Sequence, residues 1–194
     1  MWKRAFLEKF LIPLYILFTP AILLSSKTIN VPADFPTIKE AICAAKDGDS
    51  IEVEDGFYFE ANILVNKKIR LKSKNLFGAI LDGSGDKESR IFLVQAETEI
   101  SGFILKNAGW GITQRHSPDI NWSAHDLAVL NMNNAGIEIN EVSENFGRAL
   151  LYNIIVDNSG SGFSTNDAYG INIKNCLVTN CDFAFSGSNH IYFI

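Results

Sequence analysis

Cysteine and histidine are scarce in this chain of 194 residues, which contains three of each. An odd number of cysteines is a poor basis for a disulfide framework, even in an exported protein. A bridge between Cys176 and Cys181 stays open, although both fit better as small buried apolar residues. The cysteine spacing matches no zinc motif, and so few histidines add little to one.

Positive charge is also limited, with 17 Lys and Arg against 22 Asp and Glu and no long run of either sign. A protein that binds nucleic acid would carry a basic face or stripe, so we expect no nucleic-acid partner. The apolar fraction of 47% suits a packed core and argues against disorder. The length indicates one domain.

The sequence lacks an unbroken apolar run long enough to cross a bilayer as a helix. The run from Phe10 to Leu24 follows Lys3 and Arg4 and has 15 residues, against roughly 20 for a span. A signal peptide over residues 1–26 therefore fits best, and we expect the protein to be secreted, periplasmic or at the cell surface. No A-x-A pattern precedes Lys27. An uncleaved N-terminal membrane anchor is the alternative, and the only membrane contact we expect.

A short amphipathic helix precedes a series of short strands. Thr37 and Glu40 have the spacing of a capping box, and apolar residues then recur at helical spacing up to Ala45. The pattern next becomes alternating, with Ile51 and Val53 on one side. Further strands are predicted at 63–65, 69–71 and 80–81. A helix before many strands predicts a lid on a β-solenoid, whose first coil would otherwise expose its interior.

From residue 90 onward the sequence repeats itself. The repeats share an asparagine, at Asn107, Asn134, Asn158 and Asn180, with separations of 22 to 27 residues. That period leaves room for about three short strands and falls in the range of solenoids; the L-x-x-L-x-L pattern of a leucine-rich repeat is absent. Asparagine tolerates the left-handed conformation and its amide can bond from coil to coil, so we predict a stacked asparagine ladder.

These segments resemble known proteins. The stretch TIKEAICAAKDGDSIEV, followed by DGFYFEANILVNKKIRLKS and AILDGSG, resembles the N-terminal part of pectin-lyase-like β-helix proteins, among them pectin methylesterases and periplasmic copper-site maturation proteins. The segments ISGFILKNAGWGI and INIKNCLVTNCDFAF are similar to the parallel β-helix repeat. The resemblance implies an all-β, right-handed parallel β-helix over residues 27–194 with an N-terminal capping helix. It further implies an acidic polysaccharide as substrate or ligand.

Motifs that would identify one activity are missing. The polygalacturonase motifs and the W-x-D-H segment of pectate lyases are absent. CDFAFSG resembles a catalytic segment of pectin methylesterases, which would give Asp182 a catalytic role, but the glutamine and arginine motifs of that family are absent. The alternatives are a lyase, hydrolase or esterase, a non-catalytic scaffold or glycan-binding protein, and a fragment of a larger enzyme.

Alternation predicts an exposed strip after each turn. If Ile112, Ile137, Phe163 and Phe183 point inward, the outward residues are Thr113, Glu138, Ser164 and Ala184, followed by Arg115, Asn140, Asn166 and Ser186. In enzymes of the fold that the sequence resembles, this strip commonly binds the sugar. Arg115 could hold a uronate carboxylate and Glu138 could act as acid or base. The alternative is a surface ion pair, which stabilises little.

The segment from Thr113 to Ala128 fits the repeat least. We predict His116 and Asp126 as catalytic residues beside Arg115 and Glu138, because histidine exchanges protons near neutral pH. The predicted substrate-binding residues are Thr113, Trp122, His125, Asn140 and Asn166, with Trp122 stacked on a sugar face. Asp119, Asp126 and Glu141 could hold a calcium ion through carboxylate oxygens, although no calcium-loop motif is present. The alternative is a solvated insertion with Trp122 packed on the coil.

The sequence ends in an apolar, strand-like segment, His190 to Ile194, with no visible cap. An uncapped coil exposes strand edges. We therefore expect either association through this end or a longer parent protein.

Overall fold

A computed structural model describes residues 26–115, 120–140 and 148–193 of the protein. Within them lies one helix, α1 (Ile38–Ala44). The strands are β1 (Thr28–Val31), β2 (Ser50–Val53), β3 (Gly56–Tyr58), β4 (Ile63–Val65), β5 (Ile69–Ser73), β6 (Ala79–Val94), β7 (Thr98–Ser101), β8 (Ile104–Gln114), β9 (Asn121–Asn140), β10 (Arg148–Asp157), β11 (Ser161–Lys174), β12 (Leu177–Thr179) and β13 (Phe183–Phe193). These bounds confirm the strands predicted between residues 51 and 81.

Every described strand pairing is parallel, and each strand pairs with its counterpart one coil further along the chain. β2 lies between β1 and β5, with Ile51 opposite Ile29 on one side and Leu71 on the other. The longer strands bend: β9 pairs with β7 through its first residues and with β8 through its later ones. The chain therefore winds as a parallel β-helix, and the predicted fold class is confirmed.

The core is a stack of apolar side chains inside the coils. One inward row runs through six successive strands, all of it buried: Ile51, Leu71, Ile100, Ala124, Leu151 and Ile173. Alternation along each strand sends the intervening residues outward. Burial of apolar surface stabilises the coil by about 25 cal/mol per Å². It also fixes which side chains reach the outer surface.

Helix α1 closes the N-terminal end of the core, as predicted. Thr37 is its N-cap, and its hydroxyl oxygen accepts from the backbone N–H of Glu40 at 3.2 Å. The carboxylate of Glu60 accepts from two further N–H groups of the first turn, those of Ile38 and Lys39. Free helix N–H groups need such acceptors.

An asparagine ladder is present, but two of the predicted members differ. Asn180, predicted to follow Asn158, donates to Asp157 instead, at 2.7 Å. Asn131, and not Asn134, stacks between Asn107 and Asn158; its amide donates to Asn107 at 3.1 Å and its carbonyl accepts from Asn158 at 2.8 Å. Asn134 instead donates to the carbonyl of Lys87. The ladder residues have positive φ, as expected at tight turns.

A second ladder was missed. Asp126 accepts from Asn153 at 2.9 Å, and Asn153 accepts from Asn175 at 2.7 Å. All three also have positive φ. Each coil in this region thus turns twice around a single left-handed residue.

The three cysteines are free thiols, so the structure contains no bridge between Cys176 and Cys181. Both lie partly buried against the core, and burial raises the pKa of Cys176. In the described ranges no helix has the length and apolarity that a membrane span needs. The predicted signal peptide, residues 1–26, lies almost wholly outside the described residues.

Candidate functional site

Alternation exposes an ordered grid of side chains on the surface that we call face A, the outer side of β2, β5, β7, β10, the first residues of β9 and the last residues of β11. Its first outward row is Ser50, Arg70, Glu99, Ser123, Leu150 and Asn172. Its second row is Glu52, Lys72, Ser101, His125, Tyr152 and Lys174. Neighbours within a row come from successive coils, about 4.8 Å apart.

A groove of about 690 Å³ runs across the first row of face A. Residues that line it include Arg70, Glu99, Ser123, Arg148 and Asn172. The groove crosses the strands, and therefore follows the solenoid axis. An extended polymer lying in it would contact one or two side chains from each coil.

His125 lies beside the groove, between two carboxylates. Its Nδ1 is 2.7 Å from Asp126 Oδ2, and its Nε2 is 3.2 Å from Glu99 Oε1. Its ring stacks on that of Tyr152, with centroids 4.5 Å apart and planes 7° apart. The stack arises because the two residues occupy the same position on successive strands. The side chain of His125 is 14% exposed and that of Glu99 is 44% exposed.

The carboxylate of Asp126 is ionised and fixed. The hydrogen bond from His125 holds the pKa of Asp126 below its usual range, and the hydrogen bond from Asn153 contributes further. An ionised Asp126 can only accept a hydrogen bond, so Nδ1 of His125 is the donor. Nε2 is then the nitrogen that faces Glu99, 3.2 Å from its Oε1.

Tyr152 keeps its phenolic proton. Burial, together with the charges of Asp126 and Glu99, raises the pKa of Tyr152. Titratable groups with shifted pKa values beside a groove are typical of functional sites. Face A has a groove and, beside it, two groups with shifted pKa values, Asp126 and Tyr152.

Two arginines supply positive charge that the described part of the chain does not neutralise. Lys68 and Lys72 pair with Glu97 and Glu52. Arg70 and Arg148 are exposed, and neither forms an ion pair with another described residue. A guanidinium group can hold a carboxylate or sulfate through two parallel hydrogen bonds. Face A thus combines a groove that contains two arginines outside any described ion pair with the chain of contacts from Glu99 through His125 to Asp126.

The predicted strip forms on a different surface. Arg115 and Glu138 lie on adjacent coils and make an ion pair of 2.7 Å, and Asn140 donates to Glu138 at 3.0 Å. Asn166 lies opposite Asn140 and is exposed. The hydrogen bonds of Glu138 are thus made to protein groups. The catalytic roles of Arg115 and Glu138 stay predictions.

Two details of the predicted strip were wrong. Thr113 points to the outer row but is fully buried, so it does not offer a surface for a sugar. Phe185, and not Phe183, lies opposite Phe163, because the last repeat is shifted by two residues. Phe183 is 61% exposed and does not belong to the core.

The predicted insertion is less of a loop than the sequence indicated. Trp122 is the second residue of β9 and is buried in the core, where its indole N–H donates to Gln114 at 2.6 Å. A sugar cannot stack on a buried ring, so the predicted stacking was wrong, although Trp122 is among the residues that line the groove of face A. His125 and Asp126 do come together, on face A and away from the Arg115–Glu138 pair. His116, Asp119 and Glu141 lie outside the described residues.

Of the three predicted calcium ligands, Asp119, Asp126 and Glu141, only Asp126 lies within the described residues. No group of three His, Cys, Asp or Glu residues with a metal-binding arrangement occurs in the described ranges. Asp182, which the resemblance to esterases singled out, is an exposed residue of a turn. Its backbone N–H donates to the carbonyl of Ser159, as the repeat requires.

Sequence reasoning missed Arg70, Glu99, Arg148 and Tyr152. They come from different coils with irregular separations, so no local motif contains them. One signal was available: in IRLKS the apolar Ile69 and Leu71 must point inward, which puts Arg70 outside. Aligning the first strand of each coil in this way would have found face A.

No family model and no curated protein matches the sequence. Among solved structures, an arginine-to-alanine mutant of a PL6 family alginate lyase is similar, with a TM-score of 0.55 and 12% identity over 80% of this chain and 29% of that chain. A galactohydrolase of 1,3-alpha-1,4-beta-D-galactose-4-sulfate-3,6-anhydro-D-galactose-2-sulfate has a TM-score of 0.53 and 16% identity over 78% of this chain and 43% of that chain. At such identity the likeness establishes the fold. The chain spans less than half the length of either neighbour.

Proposed function

We propose that the protein binds an acidic polysaccharide along the groove of face A and cleaves it by proton transfer at Glu99 and His125. The observation that carries the proposal is the chain of contacts from Glu99 through His125 to Asp126, at the edge of a groove lined by Arg70 and Arg148. The residues involved come from several coils, as expected of a site for an extended polymer.

The groove is lined by three basic and three acidic side chains, so an acidic ligand is favoured by the two arginines outside any described ion pair and not by net charge. Arg70 lies directly opposite Glu99 on the neighbouring coil. A uronate or sulfated residue held by Arg70 would therefore place its sugar ring next to Glu99. Both solved structures of similar fold are named for the breakdown of charged polysaccharides, an alginate and a sulfated galactan. Their fold supports this ligand class and leaves the particular glycan to experiment.

The chemistry assigned to each group follows from its hydrogen bonds. Asp126 fixes the orientation of His125 through Nδ1. In an elimination on a uronate residue, Glu99, which is more exposed than His125, takes the proton from the carbon beside the carboxyl group. The carbon–carbon double bond forms as the bond to the glycosidic oxygen breaks, and that oxygen leaves with the proton, while Nε2 of His125 stays in contact with Glu99. Tyr152 supports the imidazole ring by stacking, and its phenol is available as a hydrogen-bond donor. Arg70 positions the anion.

Turnover by purified protein tests the proposal. We expect release of reducing ends or unsaturated products from polygalacturonate, alginate or a sulfated galactan. Glu99→Gln and His125→Gln should lower the rate by about 100-fold or more, the usual effect of losing a general acid or base. Lys72→Ala is the matched control, because Lys72 lies on the same face but is neutralised by Glu52. Turnover that survives in Glu99→Gln would contradict the catalytic assignment.

A second function is favoured by one observation. Both ring nitrogens of His125 already contact carboxylates, and such a hydrogen-bonded network can serve to stabilise the conformation of the surface. Such a network is consistent with a glycan-binding protein that does not cleave its ligand. Binding of a polyuronate without products from any substrate would select this function. Export by the N-terminal segment stays a prediction, checked by the cellular location of the full chain and of a variant lacking residues 1–26.

A further inference from the structure

A second cluster of positive charge lies away from face A, around Trp110. The guanidinium carbon of Arg90 and that of Arg115 each lie 5.5 Å from the centroid of the Trp110 ring. Trp110 lies opposite Arg90 on the next coil, and Arg115 follows on the same coil as Trp110. The two guanidinium groups are therefore within twice that distance of one another, held by one ring.

The charges of this cluster are not balanced. Glu138 pairs with Arg115 at 2.7 Å, whereas Arg90 forms no ion pair with another described residue. Two cations thus face one described carboxylate. Stacking on an aromatic ring offsets part of the desolvation of an arginine, but it supplies no hydrogen-bond acceptor.

Each arginine also buries a donor that has no acceptor. The Nε atoms of Arg90 and Arg115 are both buried, and in the described part of the molecule they are the two buried side-chain atoms without a hydrogen-bond partner. Both Nε atoms are closed off from solvent, so an incoming anion would meet the terminal nitrogens of the guanidinium groups; the side chain of Arg115 is 33% exposed.

We infer that Arg90 and Arg115, positioned by Trp110, bind an oxyanion, either a carboxylate or a sulfate carried by a sugar. The choice of a sugar as the carrier rests on the proposed function; the oxyanion itself is argued from the cluster alone. An oxyanion has several acceptor oxygens and can accept from both guanidinium groups at once. The cluster is then a second attachment point for an acidic polysaccharide, separate from the groove.

The arginine Nε–H signals in a nitrogen–proton correlation spectrum report on this site directly. The chain contains five arginines, so each signal can be assigned by substitution. We expect sodium sulfate and tetragalacturonate to shift the signals of Arg90 and Arg115 in a saturable manner, while sodium chloride at equal ionic strength and a neutral tetrasaccharide do not. A response to sulfate and to the uronate marks the oxyanion as the ligand; a response to the uronate alone marks a carboxylate carried by a sugar.

Substitutions provide the second readout. Arg90→Ala should weaken the apparent affinity by about tenfold, the effect of losing one charged hydrogen bond, as judged by the remaining Arg115 signal. Arg115→Lys retains the charge and tests the planar group, with the Arg90 signal as probe. Arg70→Ala, on face A, is the matched control and should leave both signals responsive.

Signals of Arg90 and Arg115 that do not shift with either anion would overturn the inference. So would a shift that persists with unchanged affinity in Arg90→Ala. Neither result touches the groove, because binding there is followed through Arg70 and Arg148. Conversely, tetragalacturonate could shift the signal of Arg90 and leave those of Arg70 and Arg148 unchanged. That result would contradict the proposed function and support the second site.

Discussion

At the scale of single residues, His125 joins parts of the chain that are far apart in sequence. Its two nitrogens contact Asp126, the next residue, and Glu99 on the previous coil, while its ring stacks on Tyr152 of the following coil. The parallel register creates these contacts, because one residue position recurs on each coil. A histidine held on three sides has one orientation, which proton transfer requires.

The ionisation of Asp126 gives a prediction in pH. Its pKa is lowered in the folded protein, so its contribution to stability is present above the unfolded value of about 3.9 and is lost as the pH falls through the folded value. Asp126→Asn removes the titrating group and keeps a residue that tolerates positive φ. We expect the wild type to be the more stable, by a difference in the free energy of unfolding that shrinks below about pH 4.

Urea unfolding at several pH values from neutral to acid measures that difference. Asp34→Asn serves as the control. The pKa of Asp34 is also lowered, by a hydrogen bond from the backbone of Asn30, but Asp34 lies near the capped end and away from face A. A difference between wild type and Asp126→Asn that is the same at neutral and at acid pH would contradict the assigned hydrogen bonds.

At the scale of elements, the turns are determined by left-handed asparagines. Asn131 has φ of 57° and bonds to both neighbours in its ladder. Asn131→Ala should lower the free energy of unfolding by about 2 kcal/mol, because alanine is strained at positive φ and cannot make the amide bonds. Asn131→Gly removes only the bonds and should cost less. Equal losses in the two variants, measured by chemical denaturation, would show that backbone strain contributes nothing.

The sequence predicted the positions of the strands better than it predicted which residue of a strand or turn is buried or bonds to the next coil. The strand at Ile69 to Leu71 was predictable because alternation and burial agree there. Asn131 and Asn134 could not be told apart, since several asparagines follow one another and only the backbone conformation selects one. Phe183 and Phe185 are likewise two residues apart and share one side of a strand. Trp122 was misjudged because burial depends on the neighbouring coils.

At the scale of the whole molecule, the winding of the chain brings together what no motif contains. Arg70, Glu99 and Arg148 are separated by tens of residues but line one groove. The helix α1 closes the N-terminal end of the same core, so the groove lies over a capped core. The expected association through the C-terminal end stays a prediction, as does the localisation.

Binding of an acidic oligosaccharide to the groove is the central claim, and isothermal titration of the protein with oligogalacturonate or oligoalginate tests it most directly. Arg70→Glu reverses a charge inside the groove, whereas Lys39→Glu makes the same kind of change on the exposed side of α1. We predict that Arg70→Glu weakens binding by about tenfold or more, and that Lys39→Glu leaves it nearly unchanged. Equal affinity in the two variants, or no binding by the wild type, would contradict the account.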